Sequence, residues 1–484
     1  MSFSTQTHVS STELAGIAGS STEENGLHHD DIQNEKSKEG KELNQATPDQ
    51  PEIGPGSGQG QPLEFPEGGF RGWATVFGAF WVQFCGFGYT GSFGVYQDFY
   101  TQTYLASESS SAISTDTDKC IICLSWIGSV NAFLVIASGL VVGRLYDRGY
   151  FYSLAIGGAL LYSFSLFMLS LAKPNQYYQI FLSQSLGAGI GAGMIYIPSI
   201  AVVSHYFQRR RSLVMTLVAS GSSLGSILHP IMLNNTLNGP LGFGNSVRAS
   251  AGLISGLLVV SCLTMRPRLP PPATRTNYLL AAKKFSHDSA FVLATLGMPL
   301  FTMGYYFPLF YIQLDSITHG LNQTFSFYSL VILNASSLVG RISSGFLADY
   351  FGVPNMVIVS MFGGAVSILG MIGLSSLASV VILGIIYGWF AGVYIALMAP
   401  LITVLTDDFS ELGARMGIAF AITGLGGLIG QPIAGALLTN DYIWWRPALF
   451  CGIMSLSGCC LLIAMRIVLG RRKRAQSAPL KAKV

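Results

Sequence analysis

Arg341, His229, Asp147 and Asp349 are the residues of this 484-residue sequence whose types and placement could do chemistry, because each stands inside or at the edge of a long apolar run. A guanidinium about four residues inside the end of such a run, as at Arg341, can bind an organic anion or be satisfied by backbone carbonyls; both readings stand. His229 precedes Pro230, whose ring frees a helix carbonyl that could accept the imidazole N–H. A histidine there could answer a proton gradient or simply pack. Asn131, Gln184, Tyr196, Asn334, Tyr387, Tyr394 and Gln431 are further polar groups in apolar surroundings and are expected to face inward. Asp98 and Asp315 fall near the ends of runs, where solvation is expected.

Other patterns are set aside on physical grounds. Gly187-Ala188-Gly189-Ile190-Gly191-Ala192 has a dinucleotide-loop spacing but sits inside an apolar run with no preceding strand, so close helix packing explains it. Cys120 and Cys123 have no second pair of ligands, so no metal is expected. No glycine-rich loop ends in Lys-Ser/Thr, and no His/Asp/Glu cluster has catalytic spacing, so neither an enzyme nor a cofactor is expected. A net charge of +3 is too mild for a nucleic-acid partner. Asn234-Asn235-Thr236 and Asn322-Gln323-Thr324 are glycosylation sequons.

The elements that must hold these groups are membrane helices. Half the residues are hydrophobic and only 11% are charged, against roughly 25% in soluble domains. Twelve of the 24 acids precede residue 70, leaving twelve for the rest, too few to clothe a soluble protein. Residues 1–66 are rich in Ser, Glu, Gly, Gln and Pro and are predicted to be a disordered cytoplasmic tail. From there, runs of about 20 apolar residues recur, each able to cross a layer of about 30 Å. Twelve spans are predicted, at 72–97, 120–142, 151–172, 177–202, 212–234, 247–265, 289–313, 325–347, 355–375, 378–405, 414–438 and 446–469. Backbone amides in lipid must be satisfied within the segment, so the runs are helices. Arg144, Arg148, Arg209, Arg210, Arg211, Arg266, Arg268, Arg275, Lys283, Lys284, Arg415 and the Arg471–Arg474 cluster fall on one side, which puts both termini in the cytosol.

The sequence also repeats itself. Asp147 and Asp349 are 202 residues apart, and so are Pro198 and Pro400, Phe207 and Phe409, Gly225 and Gly427, and Pro230 and Pro432. One offset across four helices predicts two pseudo-symmetric six-helix bundles, 67–266 and 288–470, joined by a cytoplasmic linker, 267–287, and followed by a basic cytoplasmic tail, 471–484. His229 pairs with Gln431 at this offset; since Gln431 cannot titrate, a polar lining role is favoured for both.

The segment Gly143-Arg144-Leu145-Tyr146-Asp147-Arg148-Gly149, and its second copy Gly345 to Gly352, resemble the loop motif of the major facilitator superfamily. The resemblance covers about residues 67–470. More narrowly, Glu67-Gly68-Gly69-Phe70-Arg71-Gly72-Trp73, Tyr206 to Leu213 and Ala219 to Gly225 are similar to signatures of the monocarboxylate porter family. The resemblance implies the major facilitator fold and transport by alternating access. It gives Gly143, Asp147, Arg148, Gly345 and Asp349 a gating role, with the aspartates meeting helix N-terminal amides and nearby arginines. It aligns Arg341 with an anion-binding arginine. Two positions depart from the pattern: Gly91 stands where proton-coupled members have a lysine, and Ser337 where they have an aspartate. Fungal members with such departures include exporters of secondary metabolites.

The expected function is secondary transport of a small organic acid or related metabolite, with protons as a candidate coupling ion and Arg341, His229, Asn334, Asn131, Tyr196, Tyr394 and Gln431 as candidate binding residues. Export of a larger secondary metabolite is the alternative within transport, and a membrane nutrient sensor is the alternative outside it. The protein is expected to work as a monomer in the plasma membrane.

Overall fold

The computed structural model describes residues 68–100, 117–237, 239–269, 278–407, 411–438 and 442–481. All of them belong to one compact unit, Leu63–Val484, and their regular structure is entirely helical, with no strand among them. The tail expected at 1–66 lies outside the described residues, as do residues 270–277 of the linker.

Span 1 is Gly69–Thr90. Span 2 is formed by Thr117–Ala137 and Gly139–Asp147. Spans 3 to 6 are Phe151–Leu169, Tyr177–Val203, Arg211–Leu237 and Gly242–Thr264. A short helix, Tyr278–Ser286, occupies the end of the linker. Spans 7 to 12 are Ser289–Thr318, Gln323–Phe351, Val353–Gly370, Leu377–Val404, Leu412–Leu438 and Trp445–Lys481.

Eleven of these helices are long and apolar enough to cross a membrane; the twelfth expected crossing, span 1, is not apolar enough. Its 22 residues include five glycines, Arg71, Thr75, Gln83 and Thr90, which lower its hydropathy without shortening it. Its length of about 33 Å still matches a bilayer core. The polar residues Thr75 and Gln83 are buried, and Phe70, Trp73 and Phe77 form the exposed face. Span 12 also differs from expectation: the helix runs on through Arg471, Arg472 and Arg474 to Lys481, so the basic stretch is helical rather than a separate tail.

Polar side chains inside the spans mostly satisfy themselves on the preceding turn. Ser165 Oγ donates to Leu161 O at 2.7 Å, Thr302 Oγ1 to Met298 O at 2.8 Å and Thr423 Oγ1 to Ala419 O at 2.7 Å. The duplication is visible in which helices touch. Spans 1 and 5, 1 and 6, 2 and 4, 3 and 4, and 3 and 6 pack together, and so do 7 and 11, 7 and 12, 8 and 10, 9 and 10, and 9 and 12. Both copies of the loop motif end in the same reversal, made by Gly149 at φ 85° and Gly352 at φ 86°, which a side chain would strain. The two sets of six meet chiefly where span 5 packs on span 8 and span 2 on span 11.

Candidate functional site

A cavity lies on the seam between the two sets of helices. It is lined by Gln83 and Phe87 of span 1, Tyr196 and Ile200 of span 4, Met215, Ala219 and Ser222 of span 5, Arg341 of span 8, and Ile395, Ala396 and Ala399 of span 10. The space open to the centre of a water molecule is about 10 Å³, room for roughly one water, so the halves are closed on it.

Arg341 is 7% exposed. Its Nη1 donates to Ala219 O at 2.8 Å and to Ser222 Oγ, both on span 5 and therefore across the seam. Its buried Nε–H has no acceptor, and no carboxylate among the described residues forms an ion pair with it. The phenol of Tyr305 is within hydrogen-bonding reach of the guanidinium, and those of Tyr196 and Tyr306 are within electrostatic reach. Backbone carbonyl contact and an unmet donor thus coexist at this one guanidinium. One turn earlier, Ser337 meets Ser223 Oγ at 3.2 Å rather than supplying a charge. At Gly91 even a Cβ would lie 3.0 Å from Ser226 Cβ, which leaves no space for a lysine.

Of the other candidate binding residues, Tyr196 shares the cavity, its ring 5.0 Å from Phe87 and 6.3 Å from Phe420 of span 11. Asn131 belongs to a second water-sized cavity inside the first six spans, with Tyr89, Thr90, Tyr162 and Gln184. There Thr90 Oγ1 donates to Asn131 Oδ1 at 2.9 Å and Asn131 Nδ2 to Gln184 O at 2.6 Å. That carbonyl belongs to a π-helical stretch, Phe181–Gly187, whose wider turn departs from the usual helix bonds. His229 is fully buried between the rings of Phe84 at 4.7 Å and Tyr89 at 5.3 Å, away from Arg341's cavity. Asn334 donates to Leu330 O at 3.0 Å on its own helix. Tyr394 is tied to Thr302 Oγ1 at 3.1 Å with its ring tilted against Phe301, centroids 4.3 Å apart, and Tyr387 donates to Tyr305 O. Gln431 is buried with no partner for its Nε2. Sequence reading missed Gln83 and Ser222, although Gln83 is the one side-chain amide of span 1. Asp315 departs from the solvated position expected of it: it is 1% exposed, with His319 Nδ1 3.4 Å from Oδ1. The side chain of Asp98 lies outside the described residues.

The loop-motif residues gather at one end of the seam. The Asp147 carboxylate lies against the first turn of span 11, so close to Gly413 that a Cβ there would be 2.7 Å from Asp147 Cγ. A carboxylate at a helix N-terminus meets the positive end of its dipole. Gly143 is buried and Arg148 exposed. In the second copy, Gly345 packs on the backbone of Leu213, and Asp349 is exposed and faces Arg210, just ahead of span 5. The two aspartates therefore take equivalent places. Nearby, Arg415 is 5% exposed and bonded to Asp288 Oδ2 at 3.0 Å and Leu405 O at 2.9 Å, over the ring of Phe285. Lys284 of the linker helix meets Glu411 at 2.6 Å. Among the sequons, Asn234 is half-buried in the last turn of span 5 and Asn322 is exposed between spans 7 and 8.

The Major Facilitator Superfamily model matches residues 76–345 and 334–483. The aspyridones efflux protein of Emericella nidulans is 36% identical over 379 residues, 78% of this chain and 74% of its own. The fujikurins efflux protein of Gibberella fujikuroi is 34% identical over 414 residues, 83% and 84% of the two chains. The human organic anion transporter MFSD10 has the same fold, with a TM-score of 0.63 at 14% identity over 81% of this chain and 99% of its own. A duplicated helical bundle closed around a cavity on its seam, matched along nearly all of its described length, is a transporter that belongs to the major facilitator superfamily.

Proposed function

We propose that this transporter exports an organic anion with a sizeable apolar body, a secondary metabolite of the kind its efflux-named relatives move, rather than a small monocarboxylate. The observation that carries this reading is Arg341: a guanidinium buried on the seam, with an unmet Nε donor and no acidic partner among the described residues, beside Phe87 and Tyr196. An anion arriving there supplies the missing countercharge, and the rings offer faces to a flat apolar body. Serine at 337 and glycine at 91 remove the groups that smaller acids and their protons would use in the monocarboxylate porters.

Transport follows by alternating access. Asp147 on span 11 and Asp349 by span 5 hold the motif end shut, and their release opens the cavity to that side. The arginines around the motif and the Arg471–Arg474 cluster support a cytosolic position for that end. We assign the protein to the plasma membrane, acting as a monomer.

The test uses the full chain in liposomes and two probes of equal shape, a polycyclic aromatic carboxylate and its primary amide. The carboxylate is expected to be moved faster than the amide, and faster than lactate. Arg341→Ala should raise KM for the carboxylate by about 10- to 100-fold, the worth of a charge-assisted hydrogen bond, and leave the amide unchanged. Equal transport of both probes, or an unaltered KM in the variant, refutes the anion reading.

A further inference from the structure

Tyr146, the residue before Asp147, lies in the last turn of span 2 with its hydroxyl 3.0 Å from Nε2 of His205, in the turn that follows span 4. The two rings lie 6.1 Å apart. The other imidazole nitrogen, Nδ1, accepts a long bond, 3.4 Å, from the N–H of Leu269, in the stretch that leaves span 6. A nitrogen that accepts has no proton, so the proton is on Nε2 and is donated to the Tyr146 oxygen. The turn holding His205 is itself fixed: Arg211 donates to Phe207 O at 3.1 Å and Ser204 O at 3.3 Å, and Tyr206 donates to Arg266 O at 2.9 Å. None of these groups lines the seam cavity.

Consecutive side chains on a helix point about 100° apart. Holding Tyr146 toward His205 therefore sets the rotation of the last turn of span 2, and with it the direction of Asp147. Just beyond, Gly149 reverses the chain and adds little restraint of its own. We propose that His205 is a positioning residue for the gate: as a neutral imidazole it anchors Tyr146 and so aims the Asp147 carboxylate at the first turn of span 11. The proposal rests on the gating reading of Asp147. Burial, with Arg211 and then Arg268 close by, pushes His205 from its ordinary 6.5 down to about 4, so the neutral form persists at cytosolic pH.

The experiment places a reporter cysteine at Ala396, on the cavity wall, and follows its labelling by an impermeant maleimide applied at the motif end of the full-length protein in inside-out vesicles. The same chain without the added cysteine sets the background. His205→Phe is expected to label about fivefold faster, the effect of losing one neutral hydrogen bond. His205→Gln, which donates and accepts without charge, should return the rate to that of the parent. Tyr146→Phe removes only the hydroxyl and should match His205→Phe; it decides the matter if His205→Phe does not fold. Asp147→Asn is run beside them. If Asp147→Asn accelerates labelling while His205→Phe and Tyr146→Phe do not, the anchor is refuted and the gate stands. If none accelerates, the gate reading fails with it. Equal acceleration by Phe and Gln at position 205, with lowered Tm, makes His205 a packing residue and overturns the proposal.

Discussion

Gly417 offers a direct test of motion at the seam. A Cβ at this position of span 11 would strike the Gly139 carbonyl on span 2, with the carbonyl carbon at 3.1 Å and Leu140 Cα at 3.3 Å. These are backbone atoms of another helix and cannot rotate aside, so the methyl of Gly417→Ala must be accommodated by moving the spans apart. Overpacking of this kind costs about 1–3 kcal/mol. The helix-propensity gain of alanine over glycine, about 1 kcal/mol, acts whether the halves are together or parted and cancels from that equilibrium. Gly417→Ala should therefore shift the population toward opening by about 5- to 150-fold. Gly139→Ala is the control, because its methyl would meet the flexible end of Ile197 within the same set of six helices. The assay is again maleimide labelling of a cysteine at 396 from the motif side, read beside Tm. Parental labelling in Gly417→Ala would show that spans 2 and 11 do not part there, and the rocking motion would have to be abandoned.

Three further outcomes are expected. Arg415→Ala leaves Asp288 largely buried without its main partner and should cost about 3 kcal/mol or more, read as a lower Tm in detergent; an unchanged Tm would make the contact incidental. Ser337→Asp restores an acid one turn before Arg341 and should weaken uptake of an anionic probe while sparing its amide; undiminished affinity for the anion would remove Arg341 from the binding site. Because His205 titrates near 4 when folded and near 6.5 otherwise, its neutral form stabilises the fold fully above about pH 6.5, and that contribution declines as pH falls toward 4. His205→Gln should flatten the Tm-versus-pH curve in that window, and parallel curves would refute the assignment.

Most of the architecture was legible in the residues. Long apolar runs located ten of the spans to within five residues, whereas span 1 ends seven residues sooner and span 12 runs twelve residues further than expected; the 202-residue offset located equivalent aspartates that the structure places at equivalent helix starts. The site was legible only in part. Arg341 and Tyr196 came together, whereas His229, equally polar and equally deep, turned toward Phe84 and Tyr89 inside one set of helices. Helices that are apolar on every side give no periodic signal of which face meets lipid, a neighbour or the seam. For the same reason Arg415 read as one more surface cation and Asp315 as a solvated acid, although both are buried. Pairings such as Arg415 with Asp288, 127 residues apart, exist only once the chain is packed.

The bare backbone contact between Gly139 and Gly417 has a consequence for how such proteins diversify. A contact surface made of main chain is indifferent to the side chains of other spans, so residues around Arg341 can be exchanged to suit a new cargo while the machinery of opening is inherited intact. Innovation in what is carried and constancy in how it is carried are thereby assigned to different helices, spans 1, 4, 5, 8 and 10 for the one and spans 2 and 11 for the other.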